Sequence, residues 1–361
     1  MRLRILTKYI TKELIGPFFF GMCAFGGILM GVRFMSFLRL AERHGIPFST
    51  VLKLLALDAP GELVLGIPMA MLLATILALS RLSSNSETVA MRAGGLSFFR
   101  LTLPVMVVGL IMSGVSFFIS ESVVPKAMTL LAIEKDRAVG KKFDANIYNY
   151  NYAEYDGEQL SRMVQAGSFN PGTGRMSDVV IIEFENKKVT RLISAETLVW
   201  LDEGWYFKNG EVKLFREDSV IPVRFANGYY PNIKASPKEM VALAKDPEEM
   251  SYWELAAYIE KTKPKPEQKR QLEVDLYTKL ALPFACFFLS LLAAPVALQS
   301  QRRSSSAGFG LSFLFIVIYY FLMGFGSMLG KKGVIPPLLG AWLQNIVLGG
   351  FGIYQFIRAK K

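Results

Sequence analysis

Six charge-free runs, 14–32, 63–80, 101–120, 280–301, 304–330 and 333–357, divide three and three around a polar block at 121–279. A helix needs roughly 20 apolar residues to cross about 30 Å of hydrocarbon, and every run approaches or exceeds that length. The polar block is too long and too charged to lie within a bilayer. The pattern predicts a membrane α-helical bundle of six transmembrane helices with one inserted, water-exposed domain. Charge is partitioned in the same way. Of 41 Lys and Arg and 30 Asp and Glu, residues 121–279 hold 23 and 25, leaving 18 and 5 for the membrane portion. The basic excess therefore belongs to the membrane part, and no nucleic-acid partner is expected from the high pI. The first run continues to Val32 without a small-residue cleavage site, so it reads as an uncleaved span. Cys23 and Cys286 both fall in predicted spans, and no disulfide is expected.

Orientation follows from the short loops. With the N-terminus inside, the inner segments carry 12 Lys and Arg and the short outer loops carry 5. Positive charge accumulates on the cytoplasmic side, so both termini are expected in the cytoplasm. The polar block then faces outward, into the periplasm of a Gram-negative cell.

Within that block, period-two alternation runs from about Ile147 to Tyr230, as in Asp178–Phe184, Lys188–Leu201 and Gly204–Phe215. Asp156-Gly157, Pro171-Gly172, Asn209-Gly210 and Asn227-Gly228 read as turns. The combination predicts an antiparallel sandwich or jelly roll. Its edges are either protected or open to docking by another strand. Residues 251–261 read as an amphipathic helix with Ser251 and Glu254 as a capping box, and 261–270 as a linker.

No catalytic constellation is present. His44 is the only histidine, which excludes a Ser-His-Asp triad and a His-based zinc site. Gly326–Lys332 lacks the first glycine and the final Ser/Thr of a phosphate loop. The chain therefore is not expected to be an enzyme or to hold a cofactor, and energy for any transport must come from elsewhere.

Two polar features remain. Between spans two and three, Ser84 and Glu87 suggest a capping box for a short helix that ends at Gly94-Gly95. Val89 and Arg92 lie near one face, with Glu87 and Met91 paired on another. Such a helix either plugs into a soluble partner or merely reverses the chain at the interface. At the other end of span one, Arg33 is followed by Arg39 and Arg43, with Asp58 and Glu62 near span two. Arg33 either pairs with those carboxylates or, with Arg39, Arg43 and Lys53, faces phosphates on a lipid.

The ordered combination of motifs resembles the LptF/LptG permease family over essentially the whole chain. The matching pieces are Tyr9-Ile10, Ile67-Pro68, the Leu82…Ser86-Glu87…Met91–Ser97 run, Tyr277…Pro283, Ala294-Pro295 and Gly333…Pro336-Pro337…Ala341-Trp342…Asn345. The resemblance implies spans one to three in 1–125, with a coupling helix at 83–95. It implies a periplasmic β-jelly-roll domain with a short C-terminal helix in 126–270, and spans four to six in 271–361. It implies a permease subunit of an ABC transporter that extracts lipopolysaccharide from the inner membrane. The implied partners are a dimer of the ATPase LptB, which binds the ATP and Mg, the paired LptF or LptG, and LptC- and LptA-type periplasmic proteins. Carried onto this chain, Glu87, Arg92, Arg81 and Met91 would contact the ATPase. Arg33, Arg39, Arg43 and Lys53 would face the lipid. Two other classes compete: an ion-coupled carrier, which would place ionisable groups near the midplane of several spans, and a membrane-anchored periplasmic scaffold or sensor.

Overall fold

The computed structural model describes residues 2–139, 147–156, 159–170, 173–185, 188–201, 204–216, 219–230, 233, 247–262, 264, 266–299 and 305–359. The chain forms two compact units, one of residues 1–139 and 270–361 and one of 140–269. The helical unit contains α1 (Arg2–His44), α2 (Phe48–Ser84), α3 (Glu87–Ala93), α4 (Phe98–Ser122), α5 (Val124–Ala138), α7 (Pro266–Gln299), α8 (Ser305–Lys331) and α9 (Pro337–Ala359). The sheet unit contains β1 (Ile147–Asp156), β2 (Gln159–Asn170), β3 (Arg175–Glu185), β4 (Lys188–Leu201), β5 (Gly204–Arg216), β6 (Ser219–Tyr230) and α6 (Tyr252–Thr262).

α2 is the centre of the helical unit. It is apolar on every side, as expected of a helix enclosed by others. Ile67, Met71, Ala74, Ala78, Leu79 and Leu82 pack with Ile10 and Leu14 of α1, Leu101 and Val105 of α4, and Cys286 and Ala294 of α7. Met69, Leu72, Leu73 and Ile76 pack with Phe25, Leu289, Tyr319 and Leu348. α1 by contrast turns Phe19, Phe20, Ile28, Val32 and Met35 outward. Outward apolar faces of this kind suit lipid or another apolar helix. The glycines mark close approaches. A Cβ on Gly21 would lie 2.9 Å from Ala70 Cα, and one on Gly326 would strike the Gly340 carbonyl.

Five helical segments, Ile5–His44, Phe48–Ser84, Phe98–Ala138, Pro266–Leu298 and Ala307–Lys331, are long and apolar enough to cross a membrane. The sixth expected span, α9, is not among these five segments; it carries Gln344 and Asn345. Both are fully buried among neighbouring helices. Asn345 donates to the Ala281 carbonyl at 2.7 Å and accepts from the Tyr319 hydroxyl at 3.2 Å, while Gln344 donates to the Ala341 carbonyl at 2.8 Å.

The sheet is antiparallel in the order β1-β2-β3-β4-β5-β6. The antiparallel sheet is as expected, and its strand order is a plain meander. Each strand pairs with its sequence neighbour, and no crossover joins non-consecutive strands among the described residues. The physical reason is that consecutive strands lie only two or a few residues apart, enough for hairpins and too short for Greek-key crossings.

The sheet is nevertheless not flat. Strands sit about 4.8 Å apart, so β2 and β6 would be about 19 Å apart in a plane. Yet the Arg162 guanidinium of β2 lies 5.6 Å from the Tyr230 ring centre of β6. Phe169 of β2 and Trp205 of β5 have ring centres 6.3 Å apart. Tyr230 also donates a hydrogen bond to Glu183 of β3. The sheet is rolled, and its two halves face each other across an apolar interior that includes Val164, Met176, Ile181, Ile193, Leu198 and Phe207.

One row of unpaired positions recurs in every strand. All five ladders omit the pairing at one transverse row: Asn149, Gly167, Asp178, Glu196, Asn209 and Ala226. Asp178 (φ 53°) and Asn209 (φ 50°) take the left-handed conformation there, which short Asx side chains tolerate. Across this row the inward spacing changes from two to three in β2 and β3, from Ala166 to Phe169 and from Met176 to Val179. The pairing register is the same on both sides of the row, and the ladders' register shifts fall elsewhere, at Glu154/Tyr155 and Glu183/Phe184. This corrects the turn expected at Asn209-Gly210, which lies within β5 at this row. Asn227-Gly228 likewise lies within β6, pairing with Phe207 and Lys208. Gly157, Pro171 and Gly172, in the other two expected turns, lie outside the described residues.

Candidate functional site

The polar residues singled out above gather at two ends of the α1–α2 pair. At one end α2 runs to Ser84, and Ser86 (φ 61°) turns the chain into α3. This corrects the expected capping box. The Ser84 hydroxyl donates back to the Arg81 carbonyl at 2.9 Å, so Ser84 closes α2 and does not open α3. The end of α3 is as expected. Gly95 is left-handed (φ 87°), Gly94 N–H bonds the Ala90 carbonyl, and Leu96 N–H bonds the Met91 carbonyl, a glycine C-terminal stop.

α3 turns two faces in different directions. Thr88 is buried and Met91 packs against the α1–α2–α4 core. Val89 and Arg92 are exposed on the other side. Glu87 is held rather than free. Tyr9 Oη donates to its Oε2 at 2.8 Å and Asn85 Nδ2 to its Oε1 at 3.3 Å. Arg81 Nη1 donates to Glu13 Oε2 at 3.3 Å. Of the four residues assigned to one contact surface, Arg92 points outward, Glu87 and Arg81 are engaged with α1, and Met91 faces inward.

At the other end, Arg33 Nε lies 2.6 Å from Glu62 Oε1 and 3.2 Å from Asp58 Oδ2. Both carboxylates are buried, while the Arg33 side chain is half exposed. An unpaired buried carboxylate is costly, so a shared arginine is a strong requirement of this packing. Of the two explanations for Arg33, the ion pair is realised. Lys53 Nζ pairs with Glu134 Oε1 of α5 at 2.8 Å, and Arg137 reaches the same oxygen at 2.9 Å. Arg39 and Arg43 are exposed, with no ion pair recorded among the described residues. The sequence motifs include Tyr9 but do not show its bond to Glu87, and Glu134 stands in none of them. Each lies about 80 residues from its partner, and no local pattern links such positions.

Residues 8–358 match the family described as lipopolysaccharide export system permease LptF/LptG. The chain belongs to the LptF/LptG family. The match takes in the membrane-type helices and the whole sheet unit. Among LptF/LptG relatives, the chain is similar to the lipopolysaccharide export system permease protein LptG of Haemophilus influenzae, with 22% identity over 353 residues and 95% of each chain covered. It is also similar to LptG of Escherichia coli K12, with 23% identity over 296 residues and 80% of each chain covered. An LptF/LptG permease with several membrane-crossing helices accounts for the outward apolar faces of α1 and α8.

Proposed function

We propose that this chain is one permease subunit of an ATP-driven machine that takes lipopolysaccharide from the outer leaflet of the inner membrane and passes it to a periplasmic bridge. The supporting observation is the division of the α1–α2 pair into two polar ends joined by an apolar shaft. A short helix with an exposed Val89–Arg92 face stands at one end, and an arginine-rich rim at the other. Six spans cross the bilayer, α9 included, since its Asn345 is hydrogen-bonded on both sides within the bundle, by Ala281 and Tyr319, as a lipid setting demands. Both termini and α3 face the cytoplasm, and the rolled sheet faces the periplasm.

In this reading α3 docks on an LptB-type ATPase through Val89 and Arg92, with Glu87 at the edge of the contact. ATP and Mg are bound by that partner. A sequence-related LptF or LptG completes the cavity, and LptC- and LptA-type proteins continue the path beyond the rolled sheet. Arg39 and Arg43 bind lipid phosphates, because both are exposed and, among the described residues, form no ion pair with a carboxylate. Arg33 and Lys53 serve the rim less directly, being matched by Asp58, Glu62 and Glu134. The apolar interior of the rolled sheet receives acyl chains.

The deciding experiment is co-purification with an ATPase subunit for wild type and Glu87→Arg. The reading expects a stable complex in the first and a weakened complex with little lipopolysaccharide release in the second. An unchanged complex and unchanged release in Glu87→Arg remove the coupling role.

A further inference from the structure

Tyr9 and Glu13 stand one turn apart on α1 and bind opposite sides of the α2–α3 turn. Tyr9 holds Glu87 at 2.8 Å, and Glu13 holds Arg81 at 3.3 Å. Between these bonds Ile10 and Leu14 are buried against Leu79 and Leu82. Further along, Gly21 lets α1 approach α2 so closely that a Cβ there would lie 2.9 Å from Ala70 Cα. At the far end Arg33 binds both Asp58 and Glu62. The two helices are thus tied at three levels. Tyr9 and Arg33 are 24 residues apart on one continuous helix, about 36 Å at 1.5 Å per residue.

Two rods fastened at one level can slide or pivot. Fastened at three, they tilt together. We infer that Tyr9 is a positioning residue that clamps Glu87 to α1, so that displacement of α3 tilts α1 and α2 as one strut and is felt at Arg33. This rests on the reading of α3 as the coupling helix. The phenol is suited to the task. It donates one hydrogen bond to a carboxylate and leaves the exposed α3 face, Val89 and Arg92, clear for a partner. Asn85 donates to the second oxygen of Glu87, so the carboxylate is fixed from two directions. Ser86, left-handed at φ 61°, keeps the turn between them tight.

The test compares wild type, Tyr9→Phe, Glu87→Gln and the double variant in the complete complex with its ATPase and second permease, reconstituted in lipopolysaccharide-containing liposomes. Tyr9→Phe removes one hydroxyl. The expected result is an unchanged yield of assembled complex, with lipopolysaccharide released per ATP falling roughly tenfold, the order expected for losing one hydrogen bond to a charged group. The double variant should release no less than Glu87→Gln alone, because the two residues act through one bond. Unchanged release per ATP in Tyr9→Phe, or additive losses in the double variant, overturn the clamp. A second measurement does not depend on transport. Tyr9→Cys with Glu87→Cys, joined by a short bis-maleimide in a chain with Cys23→Ser and Cys286→Ser, should cross-link equally in nucleotide-free and nucleotide-trapped complexes. A yield that drops on trapping overturns it. If the wild-type chain forms no complex with an ATPase, the underlying coupling reading fails instead.

Discussion

Arg33 illustrates how an apolar setting raises the stakes of one charge. Its half-exposed guanidinium is the shared partner of two carboxylates that water barely reaches. Removing it leaves Asp58 and Glu62 facing each other in a buried place. Arg33→Ala is therefore expected to destabilise the protein by roughly 1–3 kcal/mol, and adding Asp58→Asn and Glu62→Gln should recover most of the loss. Thermal unfolding in detergent measures both. An Arg33→Ala protein as stable as wild type would assign the side chain to ligand alone. Part of this was legible in the sequence. Charged residues are scarce near the spans, so Asp58 and Glu62 stood out as partners. The Tyr9–Glu87 bond was not legible, because an exposed tyrosine at a helix start carries no burial signal and its partner lies 78 residues away.

At the scale of elements, local chemistry was readable where it was self-contained. Ser251 N–H donates to Glu254 Oε2 at 2.8 Å and Glu254 N–H to Ser251 Oγ at 3.2 Å, the reciprocal pair that the spacing suggested at the start of α6. Ser251→Ala should cost about 1 kcal/mol of local stability. Amide exchange across Tyr252–Thr262 should then quicken relative to wild type, and unchanged exchange would show the cap to be idle. The Ser84–Glu87 spacing looked alike and failed, because α2 is held helical through Ser84 by Leu82 and Ser83, both buried in its packing. Asn209-Gly210 failed for another reason. Asn adopts the left-handed conformation in a tight turn and within a strand alike. Only the neighbouring strands, each unpaired at the same row, decide between them.

For the whole molecule, charge and periodicity set the β-rich stretch apart from the apolar runs, but α5 (Val124–Ala138) belongs to the helical unit and not to the sheet unit, and the roll of the sheet was not legible. Rolling depends on contacts such as Phe169–Trp205 that no period in one strand contains. The number of crossings is a whole-molecule property and has a direct test. In a chain without native cysteines, Trp253→Cys should react with an impermeant maleimide added outside the inner membrane. Arg92→Cys and Arg358→Cys should react only after lysis. Labelling of Arg358→Cys from outside would leave α9 short of crossing and the helices at five.

The rolled sheet has one more consequence. Among the described residues no ladder joins β6 back to β1; the roll is shut by side chains, Tyr230 of β6 meeting Glu183 of β3 and Arg162 of β2. A closed pipe admits only what fits its bore end-on. A roll shut by side chains can part along that line without breaking a strand pairing, and parting would open its apolar interior sideways.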